Sequence, residues 1–188
     1  PAARLATRHW VFIGSMVALD FAAGQLAKSI LQASGVGGFI RLDMLIPVTL
    51  WMLTRLVVDR FGVLAAYQFA WGMLALFAFP GAILPGPLKL IPAVLQGLIC
   101  DAGFSLLPRC PRARVLVAAG VGALAGKVMI AFLRVQVLGL PWTRVTQTLF
   151  GVQALTSVLV SLAAAGLALI VWSRIRHLHL TRLLSVRA

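Results

Sequence analysis

Acid is what this sequence is shortest of. Its 188 residues hold four acidic side chains against seventeen lysines and arginines, a formal net charge of +13. Asparagine is absent, and histidine occurs three times. So few carboxylates and imidazoles leave little from which to build paired-carboxylate or histidine catalysis. His177 and His179 stand two apart, on different sides of any helix, so they do not read as a metal pair. The two cysteines, Cys100 and Cys110, have no metal-ligand spacing, and no disulfide is expected. No nucleophile elbow, HExxH or phosphate-binding glycine loop is present. The sequence therefore does not read as an enzyme, and neither a metal nor a cofactor is expected. Any ATP-driven work would have to be done by another chain.

What the sequence has is apolar length. Hydrophobic residues make up 61% of it, and the mean hydropathy is +1.01. They fall in runs near the roughly 20 residues that cross a bilayer as a helix. A transmembrane β-barrel would instead show short alternating segments. The fold class expected is an all-α integral membrane protein, one transmembrane domain over residues 1–188. That hydropathy excludes a soluble nucleic-acid binder, and the positive charge reads as contact with anionic lipid and the cytoplasmic bias of loop arginines.

Six spans are expected, at about 10–32, 44–58, 63–79, 88–107, 115–140 and 149–172. Arginines gather at the start (Arg4, Arg8), around the 2–3 turn (Arg55, Arg60), in the 4–5 loop (Arg109, Arg112, Arg114) and in the tail (Arg174, Arg176, Arg182, Arg187). The other three loops carry only Arg41 and Arg144. An even number of spans with this bias puts both termini in the cytoplasm of a multi-pass protein of a prokaryotic plasma membrane. The start, PAARLATRH, leads into a full-length span rather than a short apolar core with a cleavage site, so no cleavable leader is expected.

Residues 80–101, PGAILPGPLKLIPAVLQGLICD, organise the chain. A proline-glycine turn cluster precedes an apolar helix with Lys89 at one end and Asp101 at the other, and charges bounding an apolar segment are functional candidates by default. At the outer ends of the spans lie Arg41, Lys89, Arg134 and Arg144, with Trp142 beside them. These five are the candidate substrate-binding residues, for an anionic or polar small molecule. Lys89 adds the positive end of the fourth helix, and Trp142 offers a ring for stacking. The competing reading is that such cations snorkel to headgroups and the tryptophans, Trp10 and Trp172 included, anchor at the interface. Asp101 is expected to pair structurally with Arg109 or Arg112, Asp59 with Arg55, and Asp20 internally, for example with Lys127. A proton-coupled role for Asp20 is the alternative. In span 1, Gly14, Ala18 and Ala22 recur every four residues on one face, suited either to packing within the chain or to docking a separate membrane subunit.

Together these features resemble a family. Six spans in under 200 residues, the AxxxA of Ala18 and Ala22, the glycine-rich first loop of residues 34–43, and K-x-x-P-A-x-x-x-G-x-x-x-D from Lys89 to Asp101 are similar to the substrate-binding S-component of energy-coupling factor transporters. The resemblance implies a subunit that captures a vitamin-like substrate from outside. Its partners would be a transmembrane scaffold subunit and two ATPase subunits, with no nucleic acid. It also implies that Ala18 and Ala22 meet the scaffold and that residues 34–43 form a lid. A different class remains open, a non-catalytic assembly subunit of a larger membrane complex. A small lipid-acting enzyme is disfavoured by the scarcity of acids and histidines.

Overall fold

The computed structural model describes residues 6–33, 42–78, 86–106, 110–178 and 181. All regular structure among them is helical. The helices are α1 (Thr7–Ala33), α2 (Leu45–Val58), α3 (Val63–Ala78), α4 (Leu90–Leu106), α5 (Pro111–Leu138), α6 (Trp142–Leu149) and α7 (Val152–Ile175). Short 3-10 turns, Leu42–Met44 and Gly86–Lys89, lead into α2 and α4.

Each of the six expected spans is represented by a helix, with shifted ends. The fifth begins at Pro111 rather than near 115, because Pro111 is well placed at a helix start, where its missing N–H is not needed. The last begins at Val152, and residues 142–149, expected as a polar connector, form the amphipathic α6. Its Val145 is buried with Ala131 of α5, while Trp142 is half exposed. α1, α4 with its preceding turn, α5 and α7 are long and apolar enough to cross a membrane. α2 and α3 have 14 and 16 residues, about 21 and 24 Å of helix.

The surface is apolar in the way lipid requires. Phe77, Ile30, Leu26, Leu155 and Ile170 all stand well exposed, and soluble monomers rarely show such broad apolar area. The core runs through α2, with Trp51, Met52, Leu56, Val57 and Val58 buried against residues of α1, α3, α4, α5 and α7.

Glycines set the closest helix contacts. Gly72 faces Leu90, and Gly97 faces Leu64 and Ala65, so α3 and α4 run antiparallel. Gly103 faces Ala118, Gly122 faces Cys100 and Gly126 faces Gln96, so α4 and α5 do the same. Gly122 and Gly126 form the GxxxG pair of α5, and both bury against α4. The missing side chains let the helix backbones approach, as small-residue faces do in membranes. α7 completes the bundle against α2 and α5. The bundle thus has two ends. One carries the α2–α3 turn and Asp101, the other Lys89 and α6.

Candidate functional site

Asp101 is fully buried near the end of α4. Its Oδ1 accepts from Nε of Arg55 at 2.7 Å. Its Oδ2 accepts from the backbone N–H of Gly62 and Leu64, both at 3.0 Å, and of Ala65 at 3.4 Å. α3 starts at Val63, so its first turn has unpaired N–H groups. Asp101 caps them from a neighbouring helix, as an acidic N-cap would from within the chain. Asp59, left-handed at φ 42° where α2 ends, bonds Arg55 Nη1 at 3.0 Å and faces Arg114 at 3.6 Å. The Arg55 and Arg114 guanidinium carbons lie 5.0 and 5.7 Å from the centroid of the Phe104 ring, in cation–π range.

This corrects one expected pairing and supports another. Asp101 pairs with Arg55, not with Arg112; Arg109 lies outside the described residues. Arg55 reaches Asp101 through its long side chain, from the last turn of α2 to the end of α4, which spacing along the chain does not reveal. The Asp59–Arg55 pair forms as its i,i+4 spacing predicts. The network locks the α2–α3 turn onto α4 and α5.

Asp20 is also buried, and it is bonded by Tyr67 rather than by Lys127. The Tyr67 hydroxyl donates to Asp20 Oδ2 at 2.9 Å, with the Met16 carbonyl 3.3 Å away. Oδ1 has no hydrogen-bond partner among the described residues. It faces the notch left by Gly24, whose absent Cβ would sit 3.9 Å from it and 3.8 Å from the Pro47 ring. Tyr67→Phe would leave both oxygens of the carboxyl without a side-chain donor among the described residues. A loss of about 1–3 kcal/mol in stability is expected, read by thermal unfolding in detergent. An unchanged melting temperature would mean that the α1–α3 seam does not depend on this bond.

The expected substrate-binding residues gather at the opposite end. Lys89 ends the turn before α4, Arg134 lies in the last turn and a half of α5, and Trp142 and Arg144 are on α6. Lys89 and Arg134 are partly buried, whereas Arg144 and Trp142 are exposed. α5 and α6 are in contact, which brings three of the four onto one corner. Arg41 and most of the expected lid lie outside the described residues.

A set of inner polar side chains was not singled out from the sequence, apart from Lys127, named there only as an example partner for Asp20. Gln96 donates to the Gly122 carbonyl at 3.0 Å. Lys127, Ser157 and Ser161 are buried on α5 and α7, and Trp51 is buried on α2. The signal available was that Lys127 follows Gly126 on the small-residue face of α5, and that Ser157 and Ser161 are four apart on the small-residue face of α7.

On α1, Gly14, Ala18 and Ala22 are all exposed. A Cβ on Gly14 would meet nothing within 4 Å. Among the described residues nothing covers this face, while Ile13, Val17 and Asp20 on the opposite side of the helix are buried.

Compared with protein-family models, curated proteins and solved structures, the chain matches none.

Proposed function

We propose that this chain is the membrane-embedded capture subunit of an ATP-driven importer, with six spans and both termini in the cytoplasm. It binds a vitamin-like, anionic or polar small molecule from the outer side. It hands that molecule on when a scaffold subunit and two ATPase subunits act on it. The observation that carries the reading is the face of α1. Three small residues in one line, uncovered by the described helices, are what a second membrane helix needs for close approach. The cations Lys89, Arg134 and Arg144 at one end of the bundle support an anionic substrate, since charges of one sign raise the local concentration of the opposite one. Arg55, Arg60, Arg112 and Arg114 at the other end support its cytoplasmic orientation.

The test is gentle extraction from the native membrane, followed by mass spectrometry of the proteins and small molecules that come along. A scaffold subunit with ATPases and one retained compound are expected. Ala18→Leu should leave the isolated chain's melting temperature unchanged, because the side chain points away from the bundle. The same substitution should cut recovery of the scaffold at least tenfold, a loss of about 1.4 kcal/mol in association. Full recovery with Ala18→Leu would remove α1 from the interface. Stoichiometric recovery of an unrelated membrane complex with no small molecule would replace the capture reading with that of an assembly subunit.

A further inference from the structure

Two guanidiniums share the Phe104 ring, and their bonding is unequal. Arg55 donates to Asp101 at 2.7 Å and to Asp59 at 3.0 Å. Arg114 reaches neither at hydrogen-bond range. Its Nη1 stands 3.6 Å from the same Asp59 oxygen, and its Nε is buried with no hydrogen-bond partner among the described residues. Asp101 has no oxygen to spare, because Arg55 takes one and the backbone N–H groups that open α3 take the other. A charged donor left without an acceptor is costly, so an unfilled anion site is one of the reasons a fold keeps one.

This end of the bundle is short of acid. Arg55, Arg60, Arg112 and Arg114 gather there with two acids, Asp59 and Asp101. The other two acids of the chain lie elsewhere. Asp20 is bonded by Tyr67 between α1 and α3, and Asp43 precedes α2 at the opposite end. Two positive charges therefore stay unmatched among the described residues, whichever aspartate each arginine prefers. Arg114 is the arginine held ready for an anion. The Phe104 ring holds its guanidinium carbon at 5.7 Å, and its side chain is 19% exposed, so a ligand can reach it.

What the anion belongs to follows from the surface beneath Arg114. Val117, Val121, Leu124 and Val128 continue down α5 from it at helical spacing, and all four are exposed. A free phosphate ion makes no use of such an apolar stripe, whereas the acyl chains below a lipid headgroup lie along one. The guanidinium fork matches two phosphate oxygens. We infer that the α2–α3 turn and the start of α5 seat the phosphate of one anionic phospholipid, with Arg114 donating to its oxygens and the Val117–Val128 stripe receiving its chains. Arg112 is exposed two residues away, on the other side of α5. It adds to the field at this end and not to the grip. The site is independent of the capture reading and would serve an assembly subunit equally.

The experiment uses the full chain in detergent, with bound lipid counted by native mass spectrometry. Its probes are phosphatidylglycerol, phosphatidylcholine and inorganic phosphate. One phosphatidylglycerol is expected to be retained about tenfold more tightly than phosphatidylcholine, whose choline cation the excess of arginine repels. Arg114→Gln should erase most of that preference. Arg114→Lys should lose a large part of it, because lysine keeps the charge and loses the fork. It also keeps a cation over Phe104, so it tests the site even where Arg114→Gln fails to fold. Arg112→Gln removes a whole charge from the same end and should still cost less than Arg114→Lys. Equal retention of the two lipids would overturn the site. So would an Arg112→Gln loss as large as that of Arg114→Lys, which would leave only diffuse attraction to an anionic surface. Displacement of phosphatidylglycerol by an equal concentration of inorganic phosphate would assign the seat to the free ion. Native extraction that recovers partner subunits with the chain and no tightly held phospholipid would give the turn to a protein contact instead.

Discussion

Replacing Asp101 with alanine is expected to cost about 3–5 kcal/mol of stability, the range for removing one partner of a buried ion pair. The carboxylate is fully buried and accepts from four donors, the Arg55 guanidinium and three backbone N–H groups. Alanine would strand all four. Arg55 would keep Asp59, but that partner's side chain is 28% exposed and is shared with Arg114. The first turn of α3 would lose its cap. Asparagine should be nearly as damaging. Its single carbonyl oxygen can face either Arg55 or the N–H groups, and its NH2 would then point at donors on the other side. The comparison that decides the matter is Asp59→Ala, where a partly exposed pair is worth at most about 1 kcal/mol. Thermal unfolding in detergent should place Asp101→Ala and Asp101→Asn well below Asp59→Ala. A drop no larger than that of Asp59→Ala would show that Asp101 does not organise this end of the bundle.

That role was half legible in the sequence. An acid bounding an apolar helix is conspicuous, and a structural ion pair is its natural reading. The partner was not legible, because Arg55 is 46 residues away and its side chain reaches Asp101 only once the bundle has folded. The same limit applies to Asp20. Its burial follows from the apolar run around it, but Tyr67 meets it through the packing of α1 on α3. Helices were legible because apolar length alone specifies them, and the i,i+4 pair of Arg55 and Asp59 because one helix contains both. The start of α6 was missed for a simple reason. Its eight residues are mostly polar, and they pack on α5 through Val145, a contact that no period along the chain announces. The outward placement of Gly14, Ala18 and Ala22 could not be read either, since a small-residue stripe suits an inner contact as well as an outer one. The paired glycines of α5 have the same pattern and face inward.

Gly97→Ala separates those two uses of a glycine and should be the second most damaging substitution. A methyl group at this position would stand 2.6 Å from the Leu64 carbonyl oxygen, 2.7 Å from the Ala65 Cα and 2.8 Å from the Ala65 nitrogen. All three are backbone atoms, so no side chain can swing aside. α4 must instead move off α3, and overpacking of this kind costs about 1–3 kcal/mol. Asp101 lies one turn further along the same face of α4 and bonds the N–H groups of Leu64 and Ala65 themselves. Any displacement that admits the methyl stretches the cap at the same time. Gly97→Ala and Asp101→Ala should therefore be strongly non-additive, because each removes much of what the other would remove. A double-mutant cycle read by thermal unfolding should give a coupling on the order of 1 kcal/mol or more, as for residues that share partners. Gly14→Ala is the counterpart, with open space around the added methyl and helix propensity in its favour. It should leave the isolated chain as stable or more so. If Gly97→Ala proved as harmless as Gly14→Ala, the close approach of α3 and α4 could not be what positions Asp101. If the two losses simply added, the glycine and the aspartate would act independently. The cap would then owe its geometry to Arg55 alone.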